Sequence, residues 1–280
     1  MADISGSFIN HYEAEVHVAY QQGGSRLRNT VRVKGDVTGA STKFTRIGKG
    51  VATQKTRNGN ISPMNVDHSQ VQAVFSDWYG PDYVDKLDEY KINHDERRAL
   101  TEAGAYAIGR KIDEVIIAAA LKDIPSGNVI GAGSAVMTLD DCLEAFALLN
   151  EAQVPDDGNR FAVVGPRQWN TLLRIDQFAR ASYVGENDYV WLRGVEAKRW
   201  LGTTWMMHTG LTATGSGATR ATKCLMYHKS AIGLGENGRG ITSEINYVPE
   251  KAAFLCNNMI SAGAVAIDPQ GIVCLHVKDK

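Results

Sequence analysis

Most signatures of chemical activity are missing from this sequence. The seven histidines form no His-x-x-x-His or His-x-His pair, and none has a cysteine at zinc-site spacing. The P-loop pattern is also absent, because Lys43 stands where its first glycine belongs, and Gly50 follows Gly48-Lys49 in place of serine or threonine. No Gly-x-Ser-x-Gly elbow occurs. We therefore predict no metal, no cofactor and no catalytic residues.

Cysteine pairs, long apolar runs and net charge are scarce as well. The four cysteines are widely spaced and never form Cys-x-x-Cys, which favours buried, reduced thiols in a cytoplasmic product. Residues 1–19 contain acids and histidines without an uninterrupted apolar run, so we expect neither a signal peptide nor a membrane span. A formal net charge of −1 excludes global attraction to nucleic acid, and charged contacts must come from local patches.

A polar, strand-like segment from Ser41 to Phe75 is the most informative part of the chain. Its apolar and polar residues alternate near the end, and Arg57-Asn58-Gly59-Asn60 contains Asn-Gly, the strongest short-range hairpin signal. A two-stranded ribbon with so few apolar residues is marginal in isolation. We therefore expect a hairpin that projects from the body and rests on a neighbouring subunit.

Charge is distributed unevenly around this hairpin. Residues 36–60 contain five basic residues and one acid, whereas residues 76–96 contain seven acids and two lysines. Complementary charge favours contact between two copies, and two unrelated solvated faces are the alternative. We predict that the hairpin of one copy docks on the acidic segment of the next, through Lys43, Arg46, Lys49, Lys55, Arg57, Asn58, Asp82, Asp85, Asp88 and Glu89.

A long amphipathic helix is predicted over residues 93–121. Asn93 and Glu96 form a capping box at its start, and a short acidic helix over about 82–90 is expected before it, after the breaker pair Gly80-Pro81. Two glycines inside the long helix predict a close backbone approach or a gentle bend. The expected apolar stripe is narrow and consists of Leu100, Ala103, Ala107, Ile108, Ile112, Val115, Ile116 and Ala119.

The second half of the chain has the pattern of an α/β region. The Gly/Ser-rich connector 126–135 precedes a helix from Thr138 to Gln153, and Gly165-Pro166 starts another short helix. Strands are predicted at residues 160–164, 203–208, 223–228, 240–248, 252–260 and 272–277.

The order of these elements resembles the major capsid protein of tailed bacteriophages, the Hong Kong 97-like fold that encapsulin compartments share. The most specific local match lies within Leu148 to Leu173. There, Val-Pro-Asp-Asp-Gly-Asn-Arg and Pro-Arg-Gln-Trp-Asn-Thr-Leu-Leu are similar to the capsid patterns Val-Pro-x-x-Gly-x-Arg and Pro-x-x-Trp-x-x-Leu-Leu. The resemblance implies an α+β fold with four parts: an N-terminal arm (1–35), an extended loop or E-loop (36–80), a P-domain (81–137 and 240–262) with a spine helix, and an α/β A-domain (138–239 and 263–280).

The same resemblance implies a structural, non-enzymatic protein. Its subunits would self-assemble into hexamers and pentamers of an icosahedral phage head that encloses double-stranded DNA, bound non-specifically. The expected location is the virion, after assembly in the host cytoplasm, with neighbouring subunits, portal and decoration proteins as partners and a separate scaffold protein or none. The sequence does not identify a lysine and an asparagine that would pair in a covalent cross-link. Two alternatives remain open, an encapsulin-like compartment shell and an α/β enzyme with an unrecognised site.

Overall fold

A computed structural model of the protein describes residues 22–89, 96–179, 197–238 and 240–279. Its helices are α1 (Lys86–Glu89), α2 (Glu96–Lys122), α3 (Leu139–Glu151), α4 (Pro166–Leu172) and α5 (Asp176–Ala179). Its strands are β1 (Arg32–Val37), β2 (Ser41–Ile47), β3 (His68–Val74), β4 (Ser76–Asp85), β5 (Val129–Ile130), β6 (Arg160–Val164), β7 (Ala197–Trp200), β8 (Thr203–Met207), β9 (Ala213–Thr214), β10 (Ala221–His228), β11 (Ile232–Asn237), β12 (Thr242–Val248), β13 (Ala253–Ala266) and β14 (Ile272–Lys278).

The long helix α2 is present and ends within one residue of its predicted end, whereas its predicted cap, Asn93, lies outside the described residues. The predicted apolar stripe is confirmed at Ile108, Ile112 and Ile116, which are buried, but it is too narrow and wrong at its start. Ala107 is exposed and Leu100 is only half-buried, while Asp113, Ile117 and Ala120 are buried. The buried surface is wide because α2 packs on a sheet with one side and against the end of the N-terminal arm with another.

Both glycines of α2 lie at close backbone approaches, as predicted. An added Cβ at Gly109 would lie 2.6 Å from the Cα of Gly24, and one at Gly104 would lie 3.1 Å from the carbonyl oxygen of Gly80. The arm and β4 can therefore cross the helix only where a side chain is missing, which offsets the cost of glycine in a helix.

The first sheet has five strands. Four of them pair in the order β1-β11-β13-β12, and the fifth, β4, pairs with the edge of β13 opposite to β12. The predicted acidic helix over about 82–90 is wrong for residues 82–85, which belong to β4, and residues 86–89 form the helix α1. Residue 90 lies outside the described residues. Pro81 lies within β4 opposite Asn257. An edge strand tolerates proline because every second backbone N–H points away from the sheet, so Gly80-Pro81 does not end the strand.

The second sheet has seven strands in the order β5-β14-β10-β6-β8-β7, with β9 on β10. It contains the strands predicted from residues 160–164, 203–208, 223–228 and 272–277, each confirmed to within about two residues at its ends. Thr138 and Asp141 form a capping box at the start of α3, and Pro166 occupies the first turn of α4. One apolar core joins this sheet to α2 and the first sheet.

All four cysteines are buried, and none of them forms a disulfide. Burial raises the pKa of the Cys142 and Cys224 thiols to about 12, so the two sulfurs act as small apolar side chains in the core. Within the described part of the chain, no helix is long and apolar enough to span a membrane.

Two predicted domain boundaries fall next to or inside sheet elements. The boundary between residues 262 and 263 lies within β13, which is continuous for 14 residues. β11 ends just before the boundary at 239/240 and is a strand of the first sheet rather than of the second. The first sheet therefore contains chain segments that the sequence division assigns to the arm, the P-domain and the A-domain.

Candidate inter-subunit surfaces

The predicted hairpin is formed by β2 and β3, which pair antiparallel from Ser41 opposite Val74 to Ile47 opposite His68. Beyond them, residues 48–67 form a loop without regular strands. The predicted turn lies within it, because the Gly59 N–H donates to the Thr56 carbonyl oxygen and Asn58 has φ of 65°. The loop is almost wholly exposed, including Val51, Ile61 and Met64. These three apolar side chains are therefore accessible to another subunit.

The base of the hairpin packs on its own chain. Phe44 and Ala73 form a small buried cluster with Ile267. Strands pass closely here, because an added Cβ at Gly263 would lie 2.1 Å from the carbonyl oxygen of Val74 and one at Gly233 would lie 2.8 Å from the Phe44 ring. The expectation that the whole hairpin projects onto a neighbour is therefore wrong for its base, where Phe44 and Ala73 are buried on their own chain, whereas the loop 48–67 is almost wholly exposed.

The basic residues of the hairpin divide into two groups. Arg46 forms an ion pair with Asp268 at 3.1 Å, and the Lys49 ammonium donates to the Ala152 carbonyl oxygen at 2.9 Å, so both contact their own chain. Lys43, Lys55 and Arg57 are exposed and have no ion pair within the described residues. These last three are the cations available to another subunit, with Asn58 beside them in the turn.

The acidic segment lies mostly on an exposed sheet edge. Asp82 and Asp85 are exposed on β4, and the Asp85 carboxylate accepts the Leu87 N–H at the start of α1. Asp88 and Glu89 lie in α1, but their side chains are outside the described part. Within the described ranges no ion pair joins this segment to the basic residues of the hairpin. The two charged surfaces therefore do not pair with each other within the described part of one subunit.

A buried carboxylate that sequence reasoning missed holds the end of the N-terminal arm. Asp113 of α2 is fully buried and accepts hydrogen bonds from the Ser25 hydroxyl and from the backbone N–H groups of Arg26 and Leu27. The Gln22 amide donates to it at 2.7 Å. Such a carboxylate fixes the path of the arm across the helix. The one available signal was an aspartate amid the apolar residues of α2.

Asp113 also joins the arm to the second sheet through His208, which follows β8. His208 Nδ1 accepts the Gly210 N–H at 3.0 Å, so its Nε2 carries the proton and donates to Asp113 at 2.9 Å. Burial by itself would raise the pKa of Asp113, but the hydrogen bonds from His208, Ser25 and the two backbone groups together lower it below its ordinary value. The carboxylate is therefore held in its charged form.

A Ser-His-Asp contact elsewhere bears on the enzyme alternative. His228 Nδ1 lies 2.7 Å from the Ser230 hydroxyl, and its Nε2 lies 3.1 Å from Asp157. The same Nδ1 accepts the Ser230 N–H and caps the turn that leads into β11. This double contact within one turn is typical of side-chain capping, so we assign the three residues a structural role. Among the described residues no cluster of three or more His, Cys, Asp or Glu could hold a metal ion.

The comparisons with known proteins agree on one class. The model of a phage capsid protein family matches residues 4–278. The capsid of the cyanophage P-SCSP1u has a TM-score of 0.73 at 15% identity, over 100% of this chain and 96% of that chain. The capsid of Ralstonia phage GP4 has a TM-score of 0.75 at 11% identity, over 98% and 96%. A Mycobacterium phage Che8 structure has a TM-score of 0.69 at 18% identity, over 96% and 97%. The predicted α+β capsid fold is confirmed. No protein with a curated description matches the sequence.

Proposed function

Because this chain belongs to the phage capsid protein family, we propose that its subunits assemble into hexamers and pentamers of an icosahedral head around double-stranded DNA. The observation that carries the proposal is the family match from residue 4 to residue 278, which makes the chain a structural capsid protein of the virion. Assembly rather than catalysis is then its function. Assembly in the host cytoplasm, a separate scaffold protein, and portal and decoration proteins belong to the same proposal.

Shell assembly needs several modest contacts on each subunit rather than one strong one. Heterologous contacts repeat around a ring and close by symmetry, and each additional ring contact raises the stability of the whole. A single interface of this kind can be small and polar. The exposed basic loop 48–67 and the exposed acidic edge of β4 lie on different elements of one subunit, so they can form such a small, polar, heterologous contact.

The contact we propose places the loop 48–67 of one subunit on the acidic edge of the next. The loop would bring Lys55, Arg57 and Asn58 close to Asp82 and Asp85 of β4, with Asp88 and Glu89 of α1 beside them. Lys43, which lies on β2 at the base of the hairpin, would contact the same acidic edge. Support comes from the opposite charges and from the exposed apolar side chains of the loop. Arg46 and Lys49 would act indirectly, because they tie the hairpin to its own subunit.

Charge reversal tests this contact. Replacing Lys43, Lys55 and Arg57 together by glutamate is expected to block shell formation and to leave a folded subunit, because a single exposed pair contributes only about 0–1 kcal/mol but every subunit of the shell repeats the contact. Adding Asp82→Lys and Asp85→Lys to the same chain should partly restore assembly. Light scattering over a protein concentration series measures the assembly threshold.

The matched control reverses three exposed cations elsewhere, Lys122, Arg174 and Lys229, and should leave the threshold near that of the wild type. Added salt should raise the wild-type threshold, since the screening length falls to about 3 Å at 1 M. An unchanged threshold in the hairpin variant would refute the proposed contact. Failure of the second-site rescue would separate a general charge effect from docking of these two surfaces. DNase-resistant DNA inside virions that contain this subunit would test the proposed cargo.

A further inference from the structure

Strand β12 is an exposed edge of the first sheet. Six of its seven residues are exposed and the seventh is half-buried. Among the described residues it pairs with β13 alone, from Thr242 opposite Met259 to Val248 opposite Ala253. Half of the backbone N–H and C=O groups of such an edge point outward without a strand partner.

The side of β12 that faces α2 carries apolar residues that the helix does not cover. Ile245 and Tyr247 lie opposite Cys256 and Phe254 of β13, both of which contact Arg97 of α2. The helix therefore lies over β13 and leaves the neighbouring strand open. Ile241, Ile245 and Tyr247 remain 40%, 47% and 45% exposed. The result is a groove with an apolar floor beside α2.

The end of the N-terminal arm lies at one end of this groove. A cavity of about 340 Å³ has Ser25, Arg28 and Asn29 of the arm on one wall and Gly240 and Ile241, just before β12, on another. Arg28 is fixed there by a bidentate ion pair with the buried Glu236, at 2.7 Å for both bonds. The arm and the start of β12 are therefore neighbours on the same side of α2.

The described arm runs toward the N-terminal end of α2 as it is followed back toward residue 22. Leu27 and Ser25 contact Asp113, Gly24 lies on Gly109, and an added Cβ at Gly23 would touch the Tyr106 ring at 3.7 Å. β12 extends in the same direction. The Ser243 hydroxyl donates to the Asn258 side chain, whose amide donates to the Thr101 carbonyl oxygen of α2. Four residues further along β12, the Tyr247 ring packs on the Phe254 ring, and the Arg97 guanidinium of α2 lies over Phe254. The described part of the arm, followed back to residue 22, is therefore directed along β12.

The residues before residue 22 have the sequence of a half-covered strand. Tyr12, Ala14, Val16, Val18 and Tyr20 alternate with Glu13, Glu15 and His17. This period of two predicts a strand with one apolar side and one charged side. At about 3.3 Å per residue, nine residues span about 30 Å, enough to follow all of β12.

We propose that residues 12–20 of the same chain add to the free edge of β12 as an antiparallel strand, with Val16, Val18 and Tyr20 over the apolar floor of the groove. The outward backbone groups of β12 would then be paired, and Glu13, Glu15 and His17 would face solvent. This contact lies within one subunit and requires no assembly, so it can be tested independently of the proposed shell contacts.

Cysteine pairing in the full chain tests the proposal. Ile245→Cys is combined in turn with Val16→Cys, Val18→Cys and Tyr20→Cys, and with His17→Cys as the control on the opposite face. Under mild oxidation of dilute, unassembled protein, at least one of the first three pairs should form an intrachain disulfide about tenfold more than the control, because only Cβ atoms on one face come within bonding reach. The four native cysteines are buried.

Two results would overturn the proposal. Equal disulfide yields for all four pairs would show that the segment has no fixed face on β12. A disulfide between chains, visible as a dimer on a non-reducing denaturing gel, would assign the groove to the arm of another copy. As a second measurement, Val16→Asp with Val18→Asp should raise hydrogen exchange of the amides of residues 242–248 about tenfold or more relative to His17→Asp, since those amides would lose their partners; unchanged exchange would also refute it.

Discussion

Replacing Ile116 of α2 by aspartate is expected to abolish recovery of folded, soluble subunit. Ile116 is 1% exposed within the core that joins the helix to both sheets. An unpaired carboxylate at such a site costs several kcal/mol, which is comparable with the total stability of a domain, about 5–15 kcal/mol. The soluble fraction after expression and the circular dichroism of any soluble protein measure the effect.

Two controls separate burial from a general intolerance of the helix to change. Ala118→Asp introduces the same carboxylate on the exposed face of α2 and should give folded protein. Ile116→Val removes one methylene and should cost only about 0.5–1.5 kcal/mol. Wild-type-like, soluble Ile116→Asp protein would contradict the assignment of α2 as the central core helix.

Replacing Asp113 by alanine is expected to lower the free energy of unfolding by about 3–5 kcal/mol, because His208 and the backbone of the arm would be left buried without their acceptor. The measurement is urea unfolding followed by tryptophan fluorescence. Asp123→Ala, which removes an exposed carboxylate just after α2, is the matched control and should change stability by less than about 0.5 kcal/mol. Equal effects of the two substitutions would show that Asp113 does not anchor the arm.

The pH dependence of Asp113 follows from the lowered pKa of its carboxyl group. A carboxyl whose folded-state pKa is depressed contributes stability that is complete above its unfolded pKa, about 4, and is lost as the pH falls through the folded value. The stability difference between wild type and Asp113→Asn should therefore narrow below about pH 4. A difference that widened on acidification would mean that the carboxyl is held in its protonated form.

The sequence predicted best those elements whose signals are local. The C-terminal end of α2 lies just before Pro125, the two capping residues of α3 are three positions apart, and the turn of the hairpin contains Asn58-Gly59. Each of these features depends on residues near one another in the chain. Periodicity likewise predicted most strands of the second sheet, because their apolar residues face one core.

The misses depend on partners far away in sequence. Asp113 accepts hydrogen bonds from Leu27, 86 residues before it, and from His208, 95 residues after it. Arg46 counts as an exposed hairpin cation until folding brings Asp268 to it. In the sequence alone, Pro81 predicts the end of a strand. In the fold, β4 is an edge strand paired with β13, and the proline is tolerated there. No local pattern contains this information, so the base of the hairpin and the anchor of the arm could be found only from the structure.

Electron microscopy of the expressed full-length protein tests the central claim most directly. The account predicts closed icosahedral shells in which pentamers occupy the vertices and hexamers the faces, with the loop 48–67 of each subunit on the β4 edge of its neighbour in a reconstruction. Monomers or small oligomers alone, under conditions that keep the subunit folded and at concentrations well above the assembly threshold of related shells, would contradict it.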